Sequence, residues 1–194
     1  AAYSYREIDK ELTALTLSRR EAVAQLMAAT LTEKFGRAMD IAISLSTRVH
    51  FRELVAAGRW DEAFRVMQSV PQDLPHIDRL FLVDLKGTLK ADVPALPGAR
   101  GVKLASLDWF REVSRNWQPY VSAAHTRVAT PPIKVFAGSV PVKSAAGKIA
   151  GILVLHIRVE KLIEWISAIK TGKEELIYTI VDSKGQMAFH SGHS

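Results

Sequence analysis

The feature that most constrains the fold is the stretch of residues 5–51, which contains no proline and only one glycine, Gly36. Its apolar residues recur at steps of three and four, the period of one face of an α-helix. About 45 residues at about 1.5 Å each predict a rod roughly 65–70 Å long. Because such a rod is longer than a domain of this size is wide, part of it must project.

The rod has two halves with different apolar stripes. Up to Arg20 the stripe is narrow, at Ile8, Leu12 and Leu15, and charged residues cover the rest. This pattern predicts pairing of two such helices, and hence a homodimer. From residue 22 to residue 49 the stripe widens, as in a helix that lies on a sheet or core. The alternative is a long amphipathic helix within a helical bundle.

Composition limits the function classes. The 194 residues, 48% hydrophobic and 24% charged, suffice for one domain and part of a second. Neither an uninterrupted apolar span nor a signal-peptide pattern occurs, so we expect a cytosolic protein or a soluble piece of a larger one. The absence of cysteine excludes disulfides and thiolate metal sites. The net charge of +6 is dispersed, so no nucleic-acid partner is predicted.

Beyond the rod the pattern changes to an alternation of short helices and strands. It predicts a helix from Trp60, a hairpin over residues 77–92, a helix over 107–117 and an extended run over 120–126. Strands over 133–142 and 149–159 follow, then a helix over 160–170 and a strand–turn–strand over 174–190. This order argues against the bundle and indicates an α+β fold with an antiparallel sheet.

Two hairpin turns share the pattern Asp-x-Lys-Gly, at residues 84–87 and 182–185. Similar hairpins about a hundred residues apart suggest two copies of one domain type, the second cut off soon after it begins. The alternative is that this tetrapeptide is simply a favourable turn, since glycine supplies a positive φ and aspartate caps the turn.

The order of elements and several short motifs resemble the extracytoplasmic sensor domains of the double-Cache (PDC, PAS-like) family. The residues that carry the resemblance are Asp108-Trp109-Phe110, Pro119-Tyr120-Val121-Ser122, 136–141, 151–157 and Lys161-Leu162. The resemblance implies a spine helix at 1–52, packed on a membrane-distal PAS-like ligand-binding module at 53–159. A linker helix at 160–172 and the truncated start of a membrane-proximal module at 173–194 would follow.

The resemblance implies a function as well. Such domains belong to transmembrane signalling receptors, among them sensor histidine kinases, chemoreceptors and diguanylate-cyclase-type receptors. We therefore expect a periplasmic portion of an inner-membrane protein, which binds a small molecule in the distal module and transmits the change through the long helix. The alternative is a helical dimerisation or scaffold module without a ligand. A small hydrolase with an unrecognised site is a third, weaker interpretation.

Pocket residues are expected on the helix over 107–117 and on the strands that follow it. The candidates are Trp109, Phe110, Tyr120, Ser122, His125, Arg127, Lys134, Phe136, Gly138 and His156. Each has a structural alternative. Trp109 and Phe110 are adjacent, so one of them is plain core, and His156 in an apolar strand can be an internally hydrogen-bonded core residue. His125, Arg127 and Lys134 can all be surface residues.

Departures from the family pattern bear on the ligand. Amino-acid-sensing members carry an arginine two residues before the tryptophan and an aspartate on the last strand, where this chain has Leu107 and His156. Without a guanidinium fork and an acidic partner, an amino acid is disfavoured, and a carboxylate or another small polar molecule is expected. No catalytic motif, metal-ligand spacing or cofactor motif occurs, so we expect a module without enzyme activity, metal or cofactor.

Overall fold

The computed structural model describes residues 2–68, 70, 77–169, 179–181, 185 and 187–190. The predicted long helix is confirmed as α1, Ala2–Thr47, with 46 residues. It stops five residues before the predicted end at 52, because Arg48 is extended (φ −61°, ψ 128°). The hydroxyls of Ser46 and Thr47 donate to the carbonyl of Ile43, at 2.8 and 3.0 Å, and so compete for the helix's last carbonyls.

The remaining elements follow the predicted order. The helices are α2 (Val49–Ala56), α3 (Trp60–Met67), α4 (Asp108–Asn116) and α5 (Val159–Ser167). The strands are β1 (Ile77–Val83), β2 (Leu89–Val93), β3 (Tyr120–Val121), β4 (His125–Thr126), β5 (Lys134–Lys143), β6 (Ile149–Arg158), β7 (Thr179–Val181) and β8 (Met187–His190). The α+β class is thereby confirmed.

The main sheet is antiparallel, with strand order β2-β1-β6-β5-β3 and with β4 also paired to β5. Strands β1 and β6 lie in its middle, and their runs of buried apolar residues fit a strand covered on both faces. Since successive side chains point to opposite faces, each central strand serves two different cores.

One core lies between the sheet and the helices α1 to α3. The second half of α1 contributes Ala38, Ala42 and Leu45, each at most 2% exposed. The two alanines let the helix lie close to β5, where a Cβ on Gly138 would come within 2.5 Å of Met39 Sδ. We call this side of the sheet the helix face.

The other core lies between the sheet, α4 and the segment that joins β2 to α4. Trp109 of α4 is fully buried and packs edge-on against Phe81 of β1, with ring centroids 5.9 Å apart. The joining segment is tied to the first hairpin, where Gly101 N donates to Leu89 O at 2.8 Å and Leu104 N donates to Gly87 O at 2.7 Å. We call this side the cavity face.

Gly87 is required at the hairpin turn. Its φ is +74°, which side chains disfavour, and a Cβ there would come within 2.7 Å of the backbone nitrogen of Ala105. The glycine of the predicted Asp-x-Lys-Gly turn therefore also lets the joining segment approach the hairpin.

Beyond the main sheet, α5 lies where a linker helix was predicted at 160–172, and its role as a linker stays a prediction. Strands β7 and β8 form a separate antiparallel pair. Most of the predicted second turn, at 182–184, lies outside the described residues. The predicted dimer stripe is exposed at Leu12 (59%) and Leu15 (68%), while the side chain of Ile8 is not described, so the pairing stays a prediction. Among the helices described, none is long and apolar enough to cross a membrane.

Candidate functional site

A cavity opens on the cavity face, beside the β1–β6 pair. It contains about 400 Å³ of space not filled by protein, including open solvent at its mouth. Its floor comes from β1 and β6, one wall from β2 and the joining segment, and the other wall from β4 and the loop after it. The lining residues are Arg79, Phe81, Leu89, Ala99, Val102, Leu104, Leu107, His125, Arg127, Val128, Ala129 and His156.

The floor is built by the strand register. Arg79 of β1 is paired with His156 of β6, and Phe81 is two residues further along the same face of β1. The Phe81 ring contacts both side chains, with its centroid 4.9 Å from that of His156 and 5.2 Å from Arg79 Cζ. An aromatic ring flanked by a cation and an imidazole offers a ligand both apolar contact and hydrogen bonds.

Two buried ion pairs support this end of the cavity. Arg79 Nη2 donates to Asp92 Oδ2 at 2.7 Å, and the two side chains are 3% and 1% exposed. Arg127 donates through Nη1 to Asp78 Oδ2 and through Nε to the carbonyl of Pro131 at 2.8 Å. Because each arginine has a carboxylate partner, the charges within the site nearly balance.

His125 is held by the strand β4 and its neighbours. Its Nδ1 lies 3.2 Å from the carbonyl oxygen of Ala123 and 3.4 Å from Ser122 Oγ. Ser122 in turn accepts from Ala137 N at 2.9 Å and donates to Ala123 O at 2.7 Å. These bonds fix the ring with Nε2 buried.

Both cavity histidines are poor bases. Burial lowers the pKa of His125, and its bond to Ala123 and the charge of Asp108 oppose the shift only in part. Burial lowers the pKa of His156 far more, and repulsion from His125, Arg79 and Arg127 lowers it further. Both imidazoles are therefore neutral at pH 7.

Several cavity nitrogens form no hydrogen bond with the described part of the protein. They are Arg79 Nε, His125 Nε2 and both ring nitrogens of His156. Buried polar atoms are normally paired, and leaving one without a partner is costly. Because these atoms cluster around one cavity, the cavity is the candidate binding site.

Three of the ten predicted site residues line the cavity: His125, Arg127 and His156. Four others support it from behind. Trp109 packs on Phe81, Phe110 packs on Trp109, Ser122 contacts His125, and the Tyr120 hydroxyl lies 3.3 Å from Asp108 Oδ2.

The structure does not bring the other three residues to the cavity. Phe136 is on the helix face, where its ring is edge-on to Phe35 of α1 at 5.2 Å. Gly138 is on the same face, opposite Met39, and Lys134 is exposed at the start of β5. Since strand side chains alternate, a sheet strand offers only every second residue to one face.

Sequence reasoning missed the Arg79–Asp92 pair, the floor residue Phe81 and the apolar wall of the joining segment. A usable signal existed for the charges, since Asp78 and Arg79 interrupt an otherwise apolar strand. Charges buried in a strand need partners and often mark a site. The wall residues carried no comparable signal, because the joining segment is irregular.

Solved structures of receptor domains share this fold. The ligand-binding domain of the Pseudomonas aeruginosa amino acid chemoreceptor PctC, in complex with GABA, has a TM-score of 0.67 at 16% identity, covering 87% of this chain and 73% of that domain. For the Campylobacter jejuni chemoreceptor Tlp3 domain with L-valine, the TM-score is 0.70 at 14% identity, with 94% and 73% covered. No protein-family model and no curated protein matches the sequence.

A third similar structure is the ligand-binding domain of the Pseudomonas fluorescens chemoreceptor CtaA with L-isoleucine. Its TM-score is 0.68 at 12% identity, and the match covers 87% of this chain and 66% of that domain. The chain shares their fold. The fold implied by the double-Cache resemblance is thus confirmed, and this chain spans about two thirds to three quarters of the length of these domains.

The prediction that amino acids are disfavoured is wrong. Structures of the same fold hold GABA, L-isoleucine and L-valine. The prediction rested on the absence of an arginine and an aspartate, since this chain has Leu107 and His156 at those two positions. It overlooked the buried charges of Arg79, Asp92 and Asp78, and the ability of a neutral imidazole to accept a hydrogen bond from an amine.

Proposed function

We propose that this chain is an extracytoplasmic sensing region of a transmembrane signalling receptor, such as a sensor histidine kinase or a chemoreceptor. It binds a small molecule, without catalysing a reaction, in the cavity above Phe81. The observation that carries the proposal is the group of unpartnered nitrogens on Arg79, His125 and His156 around one concave, mostly apolar site. A scaffold module without a ligand gives no reason to bury such atoms together.

The fold neighbours determine the first ligands to test. Because domains of the same fold bind amino acids, the leading candidates are GABA and amino acids with uncharged side chains. The wall residues Leu89, Val102 and Leu104 suit a small aliphatic side chain, and the charged end of the cavity suits the polar head of the ligand.

A chain of ion pairs connects the cavity to the end of the sheet. Arg127 of the cavity loop donates to Asp78, and Asp78 also accepts from Arg158 Nε at 2.6 Å. Arg158 is the last residue of β6 and the N-cap position of α5. A ligand that attracts Arg127 weakens its bond to Asp78. The bond between Asp78 and Arg158 at the start of α5 then changes as well. Ligand binding shifts the equilibrium toward the state that it contacts better.

The experiment is a thermal-shift screen of the purified chain with the twenty common L-amino acids, GABA and short carboxylates. We expect at least one compound to raise the melting temperature, because a ligand that binds only the folded state stabilises it by mass action. Isothermal titration then gives the dissociation constant.

A matched pair of variants tests whether the ligand binds in the cavity. Ala129→Trp adds a large side chain at the cavity wall, whereas Ala145→Trp adds the same side chain on the exposed turn between β5 and β6. We expect the first variant to abolish binding and the second to leave it intact. Equal binding by Ala129→Trp and the unmodified protein would contradict the proposal.

A further inference from the structure

A second concave region lies at the edge of the main sheet, between the last turns of α1, the segment that joins α4 to β3, and the end of β5. It contains about 630 Å³ of space not filled by protein, including open solvent. It shares no lining residue with the cavity above Phe81. We call it the edge groove; it is bounded by residues 43–47, 117–119 and 140–143 and by Arg52 of α2.

The edge of β5 in this groove is closed to an added strand. The backbone of Ala137 bonds to Ser122 on the outer side of β5, so the backbone groups of Pro141, four residues on, point the same way. Proline has no N–H to donate there. The carbonyl of Lys143 already accepts from Arg52 Nε at 2.5 Å. An extended peptide would therefore find few partners, and the occupant must be of another kind.

The groove carries two positive charges and no negative one. Its cations are Arg52 and Lys143, and no aspartate or glutamate lines it. Arg52 donates through Nε to Lys143 O and through Nη2 to Ser144 O, each at 2.5 Å, and these two bonds fix the guanidinium beside the turn after β5. Neither cation forms an ion pair within the described part of the chain. The Nη1 hydrogens and the lysine ammonium remain available to an anion.

Trp117 forms an aromatic wall of the groove in an unusual backbone conformation. Its φ is +56° at the C-cap of α4, where glycine or asparagine is usual. Among the residues described, no other side-chain-bearing residue has a positive φ. Strained backbone of this kind is concentrated at functional sites. The conformation places a half-buried indole ring against the cavity-face core and beside the groove, where glycine would leave the wall bare.

We propose that the edge groove is a second ligand site, which binds a small apolar monocarboxylate such as benzoate or hexanoate. Lys143 and the Nη1 group of Arg52 bind the carboxylate, and the apolar part lies against Ile43, Trp117 and Pro119. An inorganic anion would leave the apolar walls uncovered, and an uncharged apolar molecule would leave the two cations without a partner.

The place of the groove in the fold gives the site a role apart from the cavity. Its lining comes from the last turns of α1 and from Arg52 of α2, on either side of the break at Arg48. A ligand in the groove contacts both helices and the sheet edge at once. It therefore favours one orientation of the spine helix relative to α2, without occupying the cavity above Phe81.

The first test titrates benzoate, hexanoate, acetate, benzamide and inorganic phosphate into the purified chain at low ionic strength, by calorimetry. We expect the better of benzoate and hexanoate to bind about tenfold or more tightly than acetate, which lacks the apolar part, and than benzamide, which lacks the charge. Its affinity should fall as salt is added. Phosphate that binds as tightly would indicate an adventitious ion only; that result, equal binding of benzamide, or no binding at all overturns the inference.

The second test removes one charge from the groove. Lys143→Gln should weaken binding of the carboxylate about threefold or more, since a charged hydrogen bond is lost. Lys148→Gln, at the other end of the same exposed turn, is the matched control and should bind like the unmodified protein. Both substitutions leave the bonds of Arg52 to the backbone intact. Equal affinity in the two variants overturns the role of Lys143.

The third test fills the groove. Thr47→Trp adds a large side chain to its wall and should abolish binding of the carboxylate, whereas Ser44→Trp adds the same side chain to an exposed position of α1 outside the groove. Circular dichroism checks that both variants are folded. Ala129→Trp, in the other cavity, should leave binding of the carboxylate intact. Loss of binding in Ala129→Trp alone would place the ligand in that cavity and overturn the inference.

The indole N–H signals of the tryptophans locate the ligand independently of any filling variant. Benzoate should shift the signal of Trp117, assigned with Trp117→Phe, with the dissociation constant that calorimetry gives. The signal of Trp109, fully buried behind the other cavity, should stay in place. Saturable binding that shifts Trp109 and leaves Trp117 unchanged contradicts the proposed site.

Discussion

The two faces of the main sheet are formed by the same strands, but they bury different kinds of side chains. On the helix face, apolar side chains and small residues of α1 interlock with β5 and leave no buried side-chain nitrogen without a partner among the residues described. On the cavity face, charged and imidazole side chains are buried beside apolar ones. The difference indicates that the first face stabilises the fold, whereas the second has the buried polar groups that the proposed binding function requires.

The largest effect should come from removing a buried aromatic side chain on the helix face. Phe51 of α2 is fully buried there, so Phe51→Ala should lower the free energy of unfolding by about 3–5 kcal/mol. Denaturant titration measures this loss. Ligand affinity below the melting transition should not change, and a large change in affinity would break the separation between the two faces.

A comparable loss on the cavity face should depend on charge instead of volume. Asp92→Leu leaves the buried guanidinium of Arg79 unpaired, so it should lower the free energy of unfolding by about 3–5 kcal/mol. The double variant Arg79→Met/Asp92→Leu should recover most of that loss and still fail to bind ligand. Additive losses in the double variant would mean that the pair is not coupled.

The next effect concerns pH. Because the pKa of His156 is lower in the folded protein than its usual value of 6.5, the unfolded chain takes up the proton first as the pH falls. Stability is therefore present above pH 6.5 and declines below it, by about 1.4 kcal/mol per pH unit from this residue. His125 should add to the decline.

Denaturant titrations between pH 8 and pH 5 measure this decline. His156→Gln should flatten the curve, whereas His50→Gln, on the exposed side of α2, serves as the matched control. A curve that is equally steep in all three proteins would show that the cavity histidines do not carry the pH dependence.

The smallest effect should come from an exposed ion pair between the joining segment and α3. Arg100 of the joining segment and Asp61 of α3 form an ion pair at 2.5 Å with both side chains more than half exposed. Arg100→Gln should therefore change the free energy of unfolding by less than about 1 kcal/mol, less still in high salt. A larger loss, measured by denaturant titration, would show that α3 helps to hold the cavity wall.

The sequence sufficed for the elements because periodicity is a local property. The spine, the first hairpin, the helix with Trp109 and the two long strands could all be placed from the spacing of apolar residues. The break at Arg48 could not, because no glycine or proline marks it and side-chain hydroxyls end the helix.

The site was harder to predict because it depends on which residues share a face and on long-range pairing. Of the predicted site residues, Phe136 and Gly138 of β5 lie on the helix face, away from the cavity, whereas His156 of β6 lines it. Arg79 becomes part of the site only through its register with His156, and its partner Asp92 lies on another strand. These relations exist only in the folded sheet.

The most direct test follows the side-chain nitrogens of the histidines by NMR while the tightest-binding compound of the thermal-shift screen is added. The account predicts that the ring nitrogens of His125 and His156 shift with the same dissociation constant that calorimetry gives, while those of His50 stay in place. Saturable binding that leaves both His125 and His156 unchanged would contradict it.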